Sequence, residues 1–308
     1  MQALSGTGAL RIGAAFLANA MPKTTKVYIS NPTWPNHETV FKHSGLENQV
    51  QYPYYKGDTN SLNFEGMMEA LEKAEPKSIV LLHGCAHNPT GVDPTKEQWL
   101  KIVTVCKSRH LVPFLDLAYQ GFATGNLEDD AFAVRLFASE GLEFLVAESF
   151  AKNAGLYSER IGALHVVCGN VEQVPKVLSN LQIFIRGMFS NPPAQGARIM
   201  GRILKNPAYL AEWKVELKKV SERIQDMRKK LFKALVAIGT PGNWEHILTQ
   251  IGMFSYTGLS EDQCKLMMEK HHVYLMLSGR ISMAGINESN VEYLANAIKD
   301  VVISKPKA

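Results

Sequence analysis

Six short runs rich in apolar, β-branched and aromatic residues punctuate the first part of the chain, at 26–30, 50–55, 78–83, 112–117, 143–147 and 161–168. Helical patterns at 64–73, 95–109 and 129–139 fall between them, the second introduced by Asp93-Pro94-Thr95, a good helix-start signal. Few architectures accommodate this alternation, and it predicts an α/β domain with a mostly parallel sheet covered by helices on both faces. Open sheets of this kind bind ligands at the carboxyl ends of their strands. The residues that follow each run are therefore where chemistry is to be sought.

Beyond Pro192 the pattern turns helical. Trp213, Leu217, Val220, Ile224, Met227, Leu231 and Leu235 recur at spacings of three and four, which predicts one long amphipathic helix over 209–238, stopped by Gly239-Thr-Pro-Gly242. After it a strand is expected at 246–257, a helix at 260–271, a strand at 273–276 and a helix at 287–302, with Asn287 or Asn290 as its cap. A chain of 308 residues has room for two domains. The expectation is a large domain over 1–215 and a smaller α+β domain over 216–308, joined by the long helix.

A formal charge of +4 without a Lys/Arg-dense tract argues against a nucleic-acid partner. No apolar stretch approaches the ~20 residues of a membrane span, so no membrane partner is expected either. Cys85, Cys106, Cys168 and Cys264 are scattered and form no CxxC pair. Reduced thiols point to the cytoplasm, or alternatively to the mitochondrion or another organelle. No acidic residue precedes Glu38, but the segment carries a Ser-Gly-Thr-Gly turn and is read as part of the fold rather than as a targeting peptide.

Several strand ends are chemically loaded. The fifth run leads into Ser149-Phe-Ala-Lys152-Asn-Ala-Gly-Leu-Tyr-Ser-Glu-Arg160, which sets a lysine and an arginine at the end of the sheet. A lysine there is either a point charge or, once desolvated, a nucleophile toward carbonyls. The fourth run ends on Asp116 and Tyr119, and a buried carboxylate needs a cationic or hydrogen-bonding partner. His83-Gly-Cys-Ala-His-Asn88-Pro-Thr-Gly91 does not have the spacing of a metal site and reads as a tight turn that leaves the Asn88 amide free. Trp34 is held between two prolines. Ser5-Gly-Thr-Gly8 opens a helix whose amino end can cradle a phosphate, although it matches neither the dinucleotide nor the nucleotide-triphosphate fingerprint. Arg186 and Arg280 lie in apolar or small-residue surroundings. Arginine is the preferred side chain for bidentate carboxylate recognition and two would suit a dicarboxylate, although structural ion pairs account for many such arginines.

Together the stretches at 5–11, 31–37, 87–95, 116–122, 149–160, 190–198 and 279–281 resemble the aspartate aminotransferases, class I aminotransferases of the fold type I pyridoxal-phosphate enzymes. The resemblance runs from the first residues to the last helix. It implies pyridoxal 5'-phosphate as cofactor and ping-pong exchange of an amino group between aspartate or glutamate and 2-oxoglutarate or oxaloacetate. In that scheme Lys152 forms the internal Schiff base and then shuttles a proton, Asp116 keeps the pyridine nitrogen protonated, and Tyr119 and Asn88 bond its phenolic oxygen. Trp34 stacks on the ring, while Ser5, Gly6, Thr7, Ser149 and Arg160 take the phosphate. His37 and His83 back Asp116. Arg280 clamps the α-carboxylate, with Trp34 and Asn88 also facing the substrate. Arg186 reads the distal carboxylate from a neighbouring subunit, which implies a homodimer.

Relatives carry roughly a quarter of their length ahead of the Ser-Gly-Thr-Gly loop, where only Met1–Leu4 stand here. Two further expectations accompany the main one: an impaired, shortened homologue, and an aromatic amino acid aminotransferase.

Overall fold

In the computed structural model, which describes residues 1–305, β1 (Gln2–Leu4) runs straight into α1 (Ser5–Ala20). There follow β2 (Val27–Asn31), α2 (Asn36–His43), β3 (Gln49–Pro53), the small ribbon of β4 (Tyr55–Lys56) and β5 (Ser61–Leu62), α3 (Phe64–Glu72) and β6 (Ile79–His83). Next come α4 (Lys96–Ser108), β7 (Val112–Leu117), α5 (Leu127–Asp130), α6 (Phe132–Ser139), β8 (Phe144–Ser149), β9 (Ile161–Val167), α7 (Gln173–Phe189) and α8 (Ala194–Lys205). The chain closes with α9 (Pro207–Ala237), α10 (His246–Thr249), β10 (Phe254–Tyr256), α11 (Glu261–His271), β11 (Arg280–Ser282), a 3-10 turn at Met283–Gly285 and α12 (Val291–Ser304).

Seven strands form one sheet in the order β1-β9-β8-β7-β6-β2-β3. The five from β3 to β8 are mutually parallel, and β9 and β1 add two antiparallel pairings at the other edge. The central strands read as continuous apolar runs because both their faces are covered. Alternate residues belong to two separate cores. Ile79, Leu81, Phe114, Leu145 and Ala147 pack with α1, whereas Val80, Leu82, Leu115, Phe144 and Val146 pack on the opposite side with α3, α4 and α6. That second core continues across Leu217, Ile224, Met227, Leu231 and Leu235 of α9 to α12.

Helix starts follow sequence chemistry. Thr95 caps α4 and Ser260 caps α11, each in a capping box with the glutamine three residues on. Asn206 caps α9, whose first residue is Pro207. Position 215 lies inside this unbroken helix.

Two expected strands differ. The segment 246–257 is not one strand: α10 occupies its start and only Phe254–Tyr256 is extended. The carbonyls of Ile247, Gly252 and Phe254 are turned toward the side chain of Arg228 instead of a neighbouring strand. The apolar run at 273–276 is no strand either. His272 ends α11 in a left-handed conformation, the Val273 N–H turns back to Met267, and a turn closed by Met276 and Gly279 hands the pairing to β11. The helix expected at 287–302 begins at Val291, with Asn287 folded into the preceding turn, where its side chain accepts from the N–H groups of Ser289 and Asn290. Two helices, α2 and α7, stand outside the expected set. Pro175 falls in the first turn of α7, where a missing N–H does no harm.

Gly162 on β9 fixes how closely the start of α1 approaches the sheet. A Cβ there would lie 2.5 Å from the Glu148 carbonyl oxygen and 2.6 Å from the Ser5 carbonyl carbon, both backbone atoms. Gly162→Ala is therefore expected to destabilise the fold by ~2–3 kcal/mol, the upper range for overpacking. The denaturant midpoint checks this; an unchanged midpoint would show that the backbone there yields without cost.

Candidate active site

The carboxyl ends of β2, β6, β7 and β8 open onto a cavity of about 240 Å³, closed from the side by the first turn of α1. Ser5, Gly6, Thr7, Trp34, Asn88, Asp116, Tyr119, Lys152, Arg160 and Arg280 all line it, joined by Leu10, Ala118, Ala151, Tyr157 and Phe254. Residues from positions 5 to 280 thus converge on one space. The parallel strands explain why: each delivers its last residues to the same end of the sheet.

Asp116 forms the floor. It is the next-to-last residue of β7, opposite His83 of β6, and its Oδ2 accepts from His37 Nε2 at 3.0 Å. The remaining contacts fit one direction of donation. The Asn88 N–H donates to His83 Nδ1 at 3.3 Å, His83 Nε2 meets Thr33 Oγ1 at 3.2 Å, and Thr33 Oγ1 meets His37 Nδ1 at 2.8 Å. The single Thr33 hydroxyl proton serves His37, which assigns Nε2–H to both imidazoles. Burial, with the neighbouring His37, pushes the His83 pKa down to about 3, so that ring is neutral. Burial of Asp116 opposes its ionisation, but the His37 hydrogen bond, aided by the nearby Lys152 charge, outweighs it and holds the carboxyl below its ordinary value. Its other oxygen, Oδ1, is buried without any hydrogen-bond partner. A buried carboxylate oxygen at the cavity floor calls for a donor carried by a ligand.

The opposite end suits an anion. Ser5 adopts φ of +60° as it enters α1, and no side chain caps that helix start. Apart from the Ser5 N–H, the first-turn N–H groups and the positive end of the helix dipole are left for a negative group. Ser5 Oγ and Ser149 Oγ are 2.8 Å apart, and Ser149 Oγ also accepts from the Ala151 N–H. Arg160 stands at this end, its conformation tied by the Ser5 N–H donating to the Arg160 carbonyl and by Arg160 Nη1 donating to the Tyr157 carbonyl.

Lys152 lies between floor and anion end, its Nζ 4.9 Å from the centre of the Tyr119 ring. Burial lowers its pKa and the Arg160 charge lowers it further, against the opposing pull of Asp116. The amine is thus easier to deprotonate than a surface lysine. Asn88 bridges two neighbours: its amide donates to Tyr119 Oη at 3.5 Å and its Oδ1 accepts from Arg280 Nη1 at 2.8 Å. The loop beyond Tyr119 is knotted by Asp130, which accepts from the N–H groups of Gly121, Ala123 and Thr124. Trp34 meets the His37 ring edge-on at 5.2 Å.

Of the residues expected from sequence, only Arg186 lies away from this cavity in the chain. It is exposed on α7, donates to Ser190 Oγ at 2.6 Å and borders a separate cleft beside Met1 and Gln2. His37, His83 and Ser149 stand just behind the lining. Thr33, Tyr157 and Phe254 stand outside the set expected from sequence. Thr33 and Tyr157 lie inside stretches that carried the resemblance, whereas Phe254, in an apolar segment, gave no sequence signal.

Comparison with known proteins agrees with this geometry. The family model described as "Aminotransferase class I and II" matches residues 1–298. The cytoplasmic aspartate aminotransferase of Dictyostelium discoideum is 49% identical over 99% of this chain and 69% of its own length. The aspartate aminotransferase from Saccharomyces cerevisiae cytoplasm superposes with a TM-score of 0.96 at 47% identity, over 99% of this chain and 75% of that one. An aromatic-amino-acid aminotransferase from Burkholderia pseudomallei, covalently bound to pyridoxal phosphate, gives 0.95 at 46% identity, over 98% of this chain and 75% of that one. With the predicted sheet, its loaded strand ends and these relatives in agreement, the chain belongs to the class I and II aminotransferases, a pyridoxal-phosphate-dependent family.

Proposed function

We propose that this aminotransferase exchanges the amino group between aspartate or glutamate and the corresponding 2-oxo acids, in the cavity floored by Asp116. The observation that carries the reading is the pairing of an orphaned carboxylate oxygen, Asp116 Oδ1, with a desolvated amine, Lys152 Nζ, in one small space.

The residues fit pyridoxal phosphate. A protonated pyridine nitrogen supplies the donor that Asp116 Oδ1 lacks, and the start of α1 with Ser5, Gly6, Thr7, Ser149 and Arg160 suits a phosphate. Trp34 offers a flat apolar face to the ring, and Tyr119 and Asn88 offer hydrogen bonds to its hydroxyl. When bound, the cofactor contributes a carbonyl carbon for the amino group and an electron-withdrawing ring that acidifies the substrate α-carbon. The chain's own groups do the rest. Lys152 Nζ, uncharged once its proton is lost, takes the proton from the α-carbon and remains within the cavity to hold it. Asp116, fixed by His37, keeps a positive charge on the ring nitrogen. Arg280, steadied by Asn88, receives the α-carboxylate as a fork.

For the distal carboxylate we infer a second copy of the chain, whose Arg186 would reach this cavity. Its own exposure on α7, beside the exposed Leu178 and Ile183, supports a covered face there. Cytoplasmic residence fits relatives named as cytoplasmic. The similarity to an aromatic-amino-acid aminotransferase favours a second reading, a preference for aromatic side chains. Arg186→Ala separates the two. Loss of a charge-assisted carboxylate contact is worth ~1.5–3 kcal/mol. It should cut kcat/KM for aspartate by about one to two orders of magnitude while sparing phenylalanine. Equal loss for both substrates would remove Arg186 from the distal site. The primary check is stoichiometric conversion of aspartate to oxaloacetate by the loaded protein without a second substrate; no oxaloacetate would refute the assignment.

A further inference from the structure

Arg228, on α9, is buried at 3% exposure and makes no ion pair among the described residues. Its guanidinium donates instead to three main-chain carbonyls. Nη1 reaches Ile247 at 3.2 Å, and Nη2 reaches Gly252 at 2.9 Å and, in a shorter contact, Phe254. A buried cation without a carboxylate is costly, and burial pushes the Arg228 pKa down to about 10. The segment it holds leads to the cavity. Ile251 donates to the Gly91 carbonyl at 2.7 Å, on the turn that carries Asn88. A Cβ on Gly252 would stand 2.5 Å from the Ala86 Cβ, so the loop lies tight against that same turn. Phe254 then sets its ring 4.2 Å from the Arg280 guanidinium and 5.8 Å, edge-on, from Tyr119.

We propose that Arg228 is a positioning residue for substrate carboxylate binding: by gathering three carbonyls of the 247–254 loop it fixes Phe254, and Phe254 with Asn88 fixes the Arg280 guanidinium. The proposal rests on reading Arg280 as the α-carboxylate-binding arginine. Arginine suits this role because Nη1 and Nη2, held apart in one rigid plane, address Ile247 on one side and Gly252 and Phe254 on the other, whereas lysine has a single nitrogen on a flexible stem.

The test uses the protein loaded with pyridoxal phosphate and succinate, a dicarboxylate without a reacting amino or oxo group. Calorimetry should give a succinate Kd raised about tenfold in Arg228→Lys, equivalent to ~1.4 kcal/mol. The KM for aspartate should rise in parallel while kcat stays within about twofold of the parent. Leu294→Ala, a core truncation on α12, controls for stability: it should lower the melting temperature and leave the succinate Kd unchanged. Arg228→Lys that melts earlier yet binds succinate like the parent overturns the proposal. Phe254→Leu tests the route independently, and alone if Arg228→Lys does not fold. It should weaken succinate about threefold, and combined with Arg228→Lys it should add little, since both act through one contact. Unchanged succinate binding in Phe254→Leu, or full additivity in the pair, overturns the route. Arg280→Lys separates the underlying reading: if it leaves succinate binding intact, the assignment of Arg280 fails and the proposal with it. If only Arg280→Lys weakens binding, Arg228 alone is removed.

Discussion

Lys152→Ala is expected to lower kcat by about four orders of magnitude, the upper end of what a positioned acid–base group contributes. Lys152 Nζ sits between Asp116 and Arg160, and burial outweighs the Asp116 attraction to ease loss of its proton. Lys152→Arg should be nearly as inactive, because a guanidinium keeps a charge at this position but cannot release its proton in the working range. This pair of variants separates the need for a positive charge from the need for a free amine. Turnover of aspartate, measured on protein whose melting temperature matches the parent, checks it. Retention of more than about a tenth of the activity in Lys152→Arg would leave only an electrostatic role.

Asp116→Asn should be the second most damaging change. It preserves shape but removes the charge that a cationic ring nitrogen would face, and breaking one side of a buried charged pair costs ~3–5 kcal/mol. In rate terms that is about two to four orders of magnitude in kcat. The substitution also has a pH signature without substrate. Because the folded carboxyl is held below its ordinary value, it contributes stability above its unfolded pKa, and that stability is lost as pH falls through the folded value. Asp116→Asn should therefore flatten the acid side of the stability profile of the unliganded protein. A profile that keeps the parent's slope would mean that the His37 bond to Asp116 Oδ2 does not outweigh burial after all.

The sheet was legible because its strands are buried on both sides. Runs such as Ile79–His83 and Val112–Leu117 carry their signal in composition alone, and their ends then locate the chemistry. The helices expected from 95 and 260 begin within a residue of those positions, at Lys96 and Glu261. What escaped depends on tertiary partners. The segment from His246 to Tyr256 is apolar enough for a strand, but Arg228, about 20 residues away, takes its carbonyls. The run at 273–276 has strand residues in a turn, with Tyr274 largely exposed. Within the site, Lys152, Asp116 and Arg280 were visible as charged groups set in small or apolar surroundings. Thr33, which links His37 to His83, is an ordinary threonine until the fold sets both imidazoles beside it. Arg186 was legible as an arginine of the type that can bind a carboxylate, but within this chain the fold leaves it exposed on α7, away from the cavity.

The most direct measurement is the visible absorption of the purified chain titrated with pyridoxal phosphate, then with aspartate, then with 2-oxoglutarate. Binding through Lys152 should give a band that is absent in Lys152→Ala, that disappears when aspartate is added, and that returns with 2-oxoglutarate. A band identical in Lys152→Ala, or one indifferent to aspartate, would be incompatible with an amino-transferring site built on Lys152 and Asp116.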